Sequence, residues 1–131
     1  MTMVVIDASA TFGALTTGSR HSQWARAVLD MGDLVAPQLL LLEVAQIARK
    51  AVRRGELSPD SAWKVVHYAK GLIELVPHAP LLHRVWTLRD NVTSYDAAYV
   101  AVAEFLGAPL ATLDSRLRRA QGPSCEFLSP E

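Results

Sequence analysis

The chain has 131 residues, enough for one hydrophobic core and too few for two domains of ordinary size, so residues 1–131 read as a single domain. Half of it is hydrophobic and a fifth is charged, a balance that excludes a disordered chain. Thirteen Lys and Arg cancel thirteen Asp and Glu, so overall charge offers no general attraction for nucleic acid, and any such contact must come from a local patch.

In chain order, Met3 to Ile6 is a short, continuous apolar run suited to a buried strand, and it is closed by Asp7. Ala8 to Leu15 follows as a short helix, then Ser22 to Met31 as a second, then Leu34 to Ala36 as a brief strand. Pro37 suits the first position of a long helix, where its missing N–H costs nothing, and that helix is expected to run to Arg54 and stop at Gly55. Ser58 and Pro59 open the next helix, from Ser61 to Lys70, before a third strand from Leu72 to Val76. Pro80 to Leu88 and Ser94 to Leu106 are helical, the latter ending at Gly107. Leu110 to Leu113 is a fourth strand closed by Asp114, Ser115 to Ala120 a short helix, and Cys125 to Leu128 a fifth strand. Strand and helix alternate throughout, which predicts an α/β fold with a mostly parallel sheet and helices on both faces.

The N-terminus enters the first strand without a basic or small-residue leader, so no secretory signal is expected. The longest apolar run, around Leu39 to Leu42, is too short to span a bilayer, and no membrane role is expected. The lone Cys125 cannot form an internal disulfide, in keeping with a cytoplasmic setting.

Four acids carry the functional reading. Asp7 and Asp114 close strands, and Glu43 and Asp96 lie near the starts of long helices. Each has a structural alternative. Asp7 and Asp114 can cap the helices after them, Asp96 stands three residues after Thr93 as in a capping box, and Glu43 suits a positive helix N-terminus. Yet Glu43 is the only charged residue between Asp33 and Arg49, and Asp96 precedes the apolar stretch Ala97 to Ala103. Carboxylates in such settings are rarely buried without a partner. Gathered beyond the strand ends, where open α/β sheets bind ligands, they would repel one another unless a cation neutralised them. An oxygen-only donor set suits Mg²⁺ or Mn²⁺. The histidines, His21, His67, His78 and His83, show no zinc spacing.

Four segments together resemble the PIN-domain ribonucleases, and among them the VapC toxins of bacterial toxin–antitoxin pairs. They are Val4–Ala10, Pro37–Val44, Thr93–Glu104 and Gly107–Leu117, in order and spacing across nearly the whole chain. The segments around Tyr95-Asp96-Ala97 and Thr112-Leu113-Asp114 are the most specific. The resemblance implies a three-layer α/β/α fold with a central sheet of four to five strands. It makes Asp7 and Asp96 principal metal ligands, with Glu43 and Asp114 completing the pocket directly or through water. Ser9, Thr93 and Thr112 match small polar positions nearby. It further implies Mg²⁺- or Mn²⁺-dependent hydrolysis of RNA phosphodiesters by a toxin that inhibits translation, a VapB-type antitoxin partner, and a homodimer. DNA binding in such pairs belongs to the antitoxin, so none is expected of this chain alone.

Three cations are candidates for the RNA backbone. Lys50 and Arg54 fall on nearly the same helical stripe as Glu43, a possible phosphate track. Arg49, Lys50, Arg53 and Arg54 equally suit the negative end of that helix. Arg116, with Arg118 and Arg119, forms a second candidate patch beyond Asp114. The aromatic residues, Tyr95, Tyr99 and Trp86 among them, read as packing rather than chemistry. Two rival functions stand beside the nuclease. One is a haloacid-dehalogenase-like phosphatase using Asp7, with Thr11 four residues on. The other is a non-catalytic PIN-like module that binds RNA or a partner.

Overall fold

In a computed structural model, which describes residues 2–130, the chain forms five strands and seven α-helices. β1 (Met3–Ile6), α1 (Ala8–Leu15), α2 (Ser22–Leu29) and β2 (Asp33–Pro37) come first, followed by α3 (Leu40–Arg53), α4 (Pro59–Leu72) and β3 (Glu74–Val76). After a short 3₁₀ turn at Ala79–Leu81 come α5 (Leu82–Thr87), α6 (Ser94–Leu106), β4 (Leu110–Ala111), α7 (Ser115–Arg119) and β5 (Phe127–Leu128). The strands form one sheet in the order β3-β2-β1-β4-β5, and every pairing is parallel.

This order explains the apolar strands. β1 is central and flanked on both faces, so Val4, Val5 and Ile6 are all buried. Helices α1 to α4 pack on one another as one layer, while α6 lies against β1, β2 and β4 with α5 beside it. Helix α6 is buried nearly throughout from Ala97 to Ala103, which accounts for its apolar composition. The chain runs outward from β1 through β2 to β3, then returns through α5 and α6 to β4 on the other side of β1. The reversal makes the β1/β4 boundary a topological switch point, with a crevice at the carboxyl ends of the strands.

Element boundaries differ from the sequence expectation at a few places. Pro37 is the buried last residue of β2, opposite Val76, and α3 starts only at Leu40. Proline is tolerated there because Gln38 N–H, the next donor, bonds Val76 O at 3.0 Å. Leu72 ends α4 instead of opening β3, because the helical ladder continues until Ile73, whose N–H still bonds Ala69 O. β4 is assigned only two residues, although Thr112 N–H extends its ladder to Leu128 O at 3.1 Å.

Candidate active site

The switch point brings Asp7 beside Thr112, with Asp114 two residues further along the same cleft. Asp7 leaves β1 and its N–H bonds Ala111 O at the end of β4, so Asp7 and Thr112 become neighbours. Asp7 is also the N-cap of α1. Its Oδ1 accepts from Ala10 N–H at 2.9 Å and from the Ser9 hydroxyl at 2.8 Å, while its Oδ2 accepts from the Thr112 hydroxyl. Thr112 Oγ1 in turn accepts Asp114 N–H at 3.0 Å, and Asp114 caps α7 by accepting from the N–H groups of Arg116 and Leu117. The capping alternative for Asp7 and Asp114 therefore holds in full, and Thr93 caps α6 by accepting Asp96 N–H at 3.2 Å. Capping uses only some of the carboxylate oxygens, so it does not remove these residues from the crevice.

Two helices supply the other acids. Glu43 lies in the first turns of α3, and Asp96 in the first turn of α6. Tyr99, one turn after Asp96 and only 1% exposed, donates its hydroxyl to Glu43 Oε1 at 2.6 Å. That bond ties α6 to α3 across the strand ends. Asp7, Glu43, Asp96 and Asp114 all line one cleft of about 290 Å³, together with Ala8, Ser9, Gln46, Ile47 and Tyr99. Among the described residues, no three His, Cys, Asp or Glu side chains converge into a ready-made metal cage.

The electrostatics are those of crowded acid with little compensation. Burial pushes the Asp7 carboxyl above its ordinary range, its three hydrogen-bond donors pull the other way, and the charge of Asp96 adds to the rise. Glu43 is raised first by burial, then by Asp96 and Asp7, against the Tyr99 hydrogen bond. Asp96 is raised by burial and by Asp114, with Thr93 and the charge of Arg116 offsetting part of it. Tyr99 is held firmly protonated by burial and by its bond to Glu43.

The basic candidates separate. Lys50 is exposed on α3, two turns from Glu43, and is not part of the cleft lining. Arg54 is engaged by Glu56 in a surface pair at 3.1 Å. Arg116 lines a second groove of about 250 Å³, which shares Asp96 and Asp114 with the first. The family profile of the PIN domain matches residues 4–123.

The chain belongs to the PIN-domain family. It is 41% identical over 125 residues to Ribonuclease VapC1 of Mycobacterium tuberculosis, covering 94% of each chain. It is 37% identical over 120 residues to Ribonuclease VapC3 of Pyrobaculum aerophilum, covering 87% of this chain and 91% of the other. Its fold is shared by VapBC2 from Rickettsia felis, solved bound to a DNA fragment from its promoter. The TM-score there is 0.71 at 11% identity, covering 97% of this chain and 98% of that one. Relatives among the VapC ribonucleases thus match the resemblance seen in the four segments.

Sequence reading of this PIN domain missed two cleft residues. Tyr99 reads as core packing, which its burial bears out, but its place three residues after Asp96 also brings its hydroxyl to the cleft side of α6. Gln46 stands in the same relation to Glu43 on α3 and also lines the cleft. Helical phase from each acid would have flagged both. No helix among the described residues is long and apolar enough to cross a membrane.

Proposed function

We propose that the chain is a Mg²⁺- or Mn²⁺-dependent endoribonuclease, the toxin of a toxin–antitoxin pair. The observation that carries the reading is the convergence of Asp7, Glu43, Asp96 and Asp114 on one cleft in a PIN domain whose relatives are named ribonucleases. The donor set fits a hard cation: it is oxygen only, burial and neighbouring carboxylates raise Asp7, Glu43 and Asp96, and no side-chain salt bridge compensates them among the described residues. The open spacing suits Mg²⁺ better than a closed cage would, because that ion keeps several waters and binds through few carboxylates. Asp7 and Asp96 would be the principal ligands, with Glu43 and Asp114 acting directly or through water. Such an ion supplies a water of lowered pKa and charge stabilisation at the phosphoryl oxygens.

The residues of the chain do the rest. Ser9, Ala10 N–H and Thr112 fix the rotamer of Asp7, so its carboxylate meets the cleft in one orientation. Tyr99 does the same for Glu43. Thr112 also bonds Asp114 N–H, which couples the two strand-end acids through one hydroxyl. Preorganised ligands lose little entropy when a substrate phosphate arrives. The phosphatase alternative loses its support, because the Thr11 hydroxyl is fully buried and donates to Asp7 backbone O at 2.8 Å.

The solved Rickettsia felis relative is a VapB–VapC complex, and a VapB-type antitoxin is proposed here as the protein partner on that analogy. The test is induced expression in bacteria of wild type and Asp96→Ala, with RNA ends mapped. Wild type should arrest growth and translation and leave new RNA ends; Asp96→Ala should do neither. Intact RNA over purified wild type with Mn²⁺ would favour a non-cutting binding module.

A further inference from the structure

Beyond the acid cleft, on the far side of Asp96 and Asp114, the second groove runs along the segment joining α5 to α6 and along α7. Its character changes from that of the cleft. Val92 and Leu117 are buried among its lining residues and give it an apolar floor, with Ala120 half-buried beside them. Asn91 and Thr93 are exposed polar residues on the same groove. Arg116 is the only cation that lines it.

The state of that arginine is informative. Arg116 is exposed, and among the described residues its guanidinium makes no hydrogen bond or salt bridge, although two carboxylates share its groove. Asp114 Oδ1 is instead occupied by the backbone N–H groups of Arg116 and Leu117, at 2.9 and 3.2 Å. The guanidinium therefore makes no direct bond in the groove, and its charge reaches Asp96 only through space. Arg26 by contrast bonds the carbonyls of Ala14 and Thr16, Arg54 pairs with Glu56, and Arg84 with Glu104. An exposed guanidinium that keeps its five donors unbonded beside an acid cleft has the geometry to take a phosphate in a bidentate pair.

An RNA strand that presents one phosphodiester to the acids must continue past them. The strand is anionic, so the next phosphate is repelled by the acid cluster unless a cation takes it up. The groove supplies that cation in Arg116, whose guanidinium plane also offers a base a stacking face, with an aliphatic floor beneath and the Asn91 amide at its rim for base edges. We infer that the groove lined by Asn91, Val92, Thr93, Arg116, Leu117 and Ala120 is a nucleotide subsite for single-stranded RNA, in which Arg116 holds the phosphate adjoining the scissile one. This rests on the endoribonuclease reading above and adds to it where the strand goes and which residue carries it.

The experiment uses RNA oligomers around one mapped cleavage site, shortened nucleotide by nucleotide from each end. For wild type, kcat/KM should fall about tenfold when the nucleotide that fills the groove is removed with its phosphate, the scale of one charge-assisted hydrogen bond. Arg116→Ala should show that same loss on the full-length oligomer, mostly in KM, and should be indifferent to trimming on that side. The slope of its log affinity against log salt should shrink by about 0.7, one phosphate contact on a single strand. Lys70→Ala removes an exposed cation of α4 outside both grooves and should keep the wild-type trimming response. A trimming response in Arg116→Ala equal to that of wild type overturns the subsite while leaving the nuclease reading intact. Absence of any RNA cleavage by wild type with Mg²⁺ or Mn²⁺ overturns the nuclease reading, and the subsite with it.

Discussion

Helix α6 carries two acids whose fates are opposite. Asp96, in its first turn, faces Asp114 with no salt-bridge partner among the described residues, and its carboxyl is raised above the ordinary range. Glu104, near the last turn, is gripped by Arg84 at 2.7 and 3.0 Å and by Ser124 N–H at 2.7 Å, and its carboxyl is lowered. A depression also lies beside Glu104, about 310 Å³ and slightly larger than the acid cleft, lined by Ala108, Pro109 and Cys125 among others. Its chemistry is spent: the acid is paired, and the Cys125 thiol is pushed up to about 11 by burial and by Glu104. Size does not separate the two hollows. What separates them is whether the protein supplies the countercharge itself. At Glu104 it does, and the pair clasps the C-terminal segment, with Arg84 also donating to Gly122 O. At Asp96 the charge of Arg116 offsets only part of the cost, without a salt bridge, and the remainder is left to something that binds.

The sharpest way to break this contrast is Asp7→Asn. Cleavage should fall by more than about a hundredfold, because a buried ligand loses its charge. The metal-free protein should melt higher at neutral pH, because a buried charge has been removed. Retained cleavage, or a lower melting temperature, would place Asp7 on the structural side.

Tyr99→Phe should have the next largest effect. Phe keeps the packing and removes the donor to Glu43. Activity should fall about tenfold, with a matching rise in the Mn²⁺ concentration needed for half-maximal rate, as for other groups that orient a metal ligand. An unchanged Mn²⁺ requirement would reduce Tyr99 to packing.

Glu104→Gln should show the reverse profile. Cleavage should stay within about twofold of wild type, while denaturant unfolding reports a loss of about 1–2 kcal/mol, discounted for the partial exposure of Arg84. A large activity loss in a folded Glu104→Gln protein would contradict the contrast.

The smallest effect is in pH, and its sign differs between the two regions. Asp7 and Asp96 titrate in the fold above 3.8, and Glu43 above 4.5. Their favourable contribution is complete below those values and is lost as pH rises through the raised ones. Glu104 titrates below 4.5, so its contribution is complete above that value and is lost as pH falls through the lowered one. Melting curves of metal-free wild type and Asp7→Asn should therefore diverge towards neutral pH. Those of wild type and Glu104→Gln should converge in acid. Mg²⁺ should raise the wild-type melting temperature at neutral pH and lose that effect in acid.

Much of this was legible in the chain. The apolar run from Met3 to Ile6 and the glycine after Leu106 mark elements found within a residue or two, because local pattern and packing agree there. The acids stand out because each borders or interrupts an apolar stretch: Asp7 and Asp114 close one, Glu43 interrupts one and Asp96 precedes one. Pro37 was misread because its fit to a helix start is local, whereas its place opposite Val76 depends on a strand nearly forty residues away. The packing of Tyr99 is legible in its apolar setting, but its bond to Glu43 is not, because Glu43 is on another helix. Lys50 and Arg116 were equal candidates in sequence. Only the fold shows that α3 carries Lys50 away from the acids while α7 keeps Arg116 beside them.

The central claim is that the acids gathered at the β1/β4 switch point, which the protein itself compensates only in part, hold a divalent cation. Calorimetric titration of Mn²⁺ into wild type, Asp96→Asn and Glu104→Gln tests it most directly. Saturable uptake by wild type and Glu104→Gln, weakened at least about tenfold in Asp96→Asn, is the predicted result. No uptake by wild type, or undiminished uptake by Asp96→Asn, would contradict it.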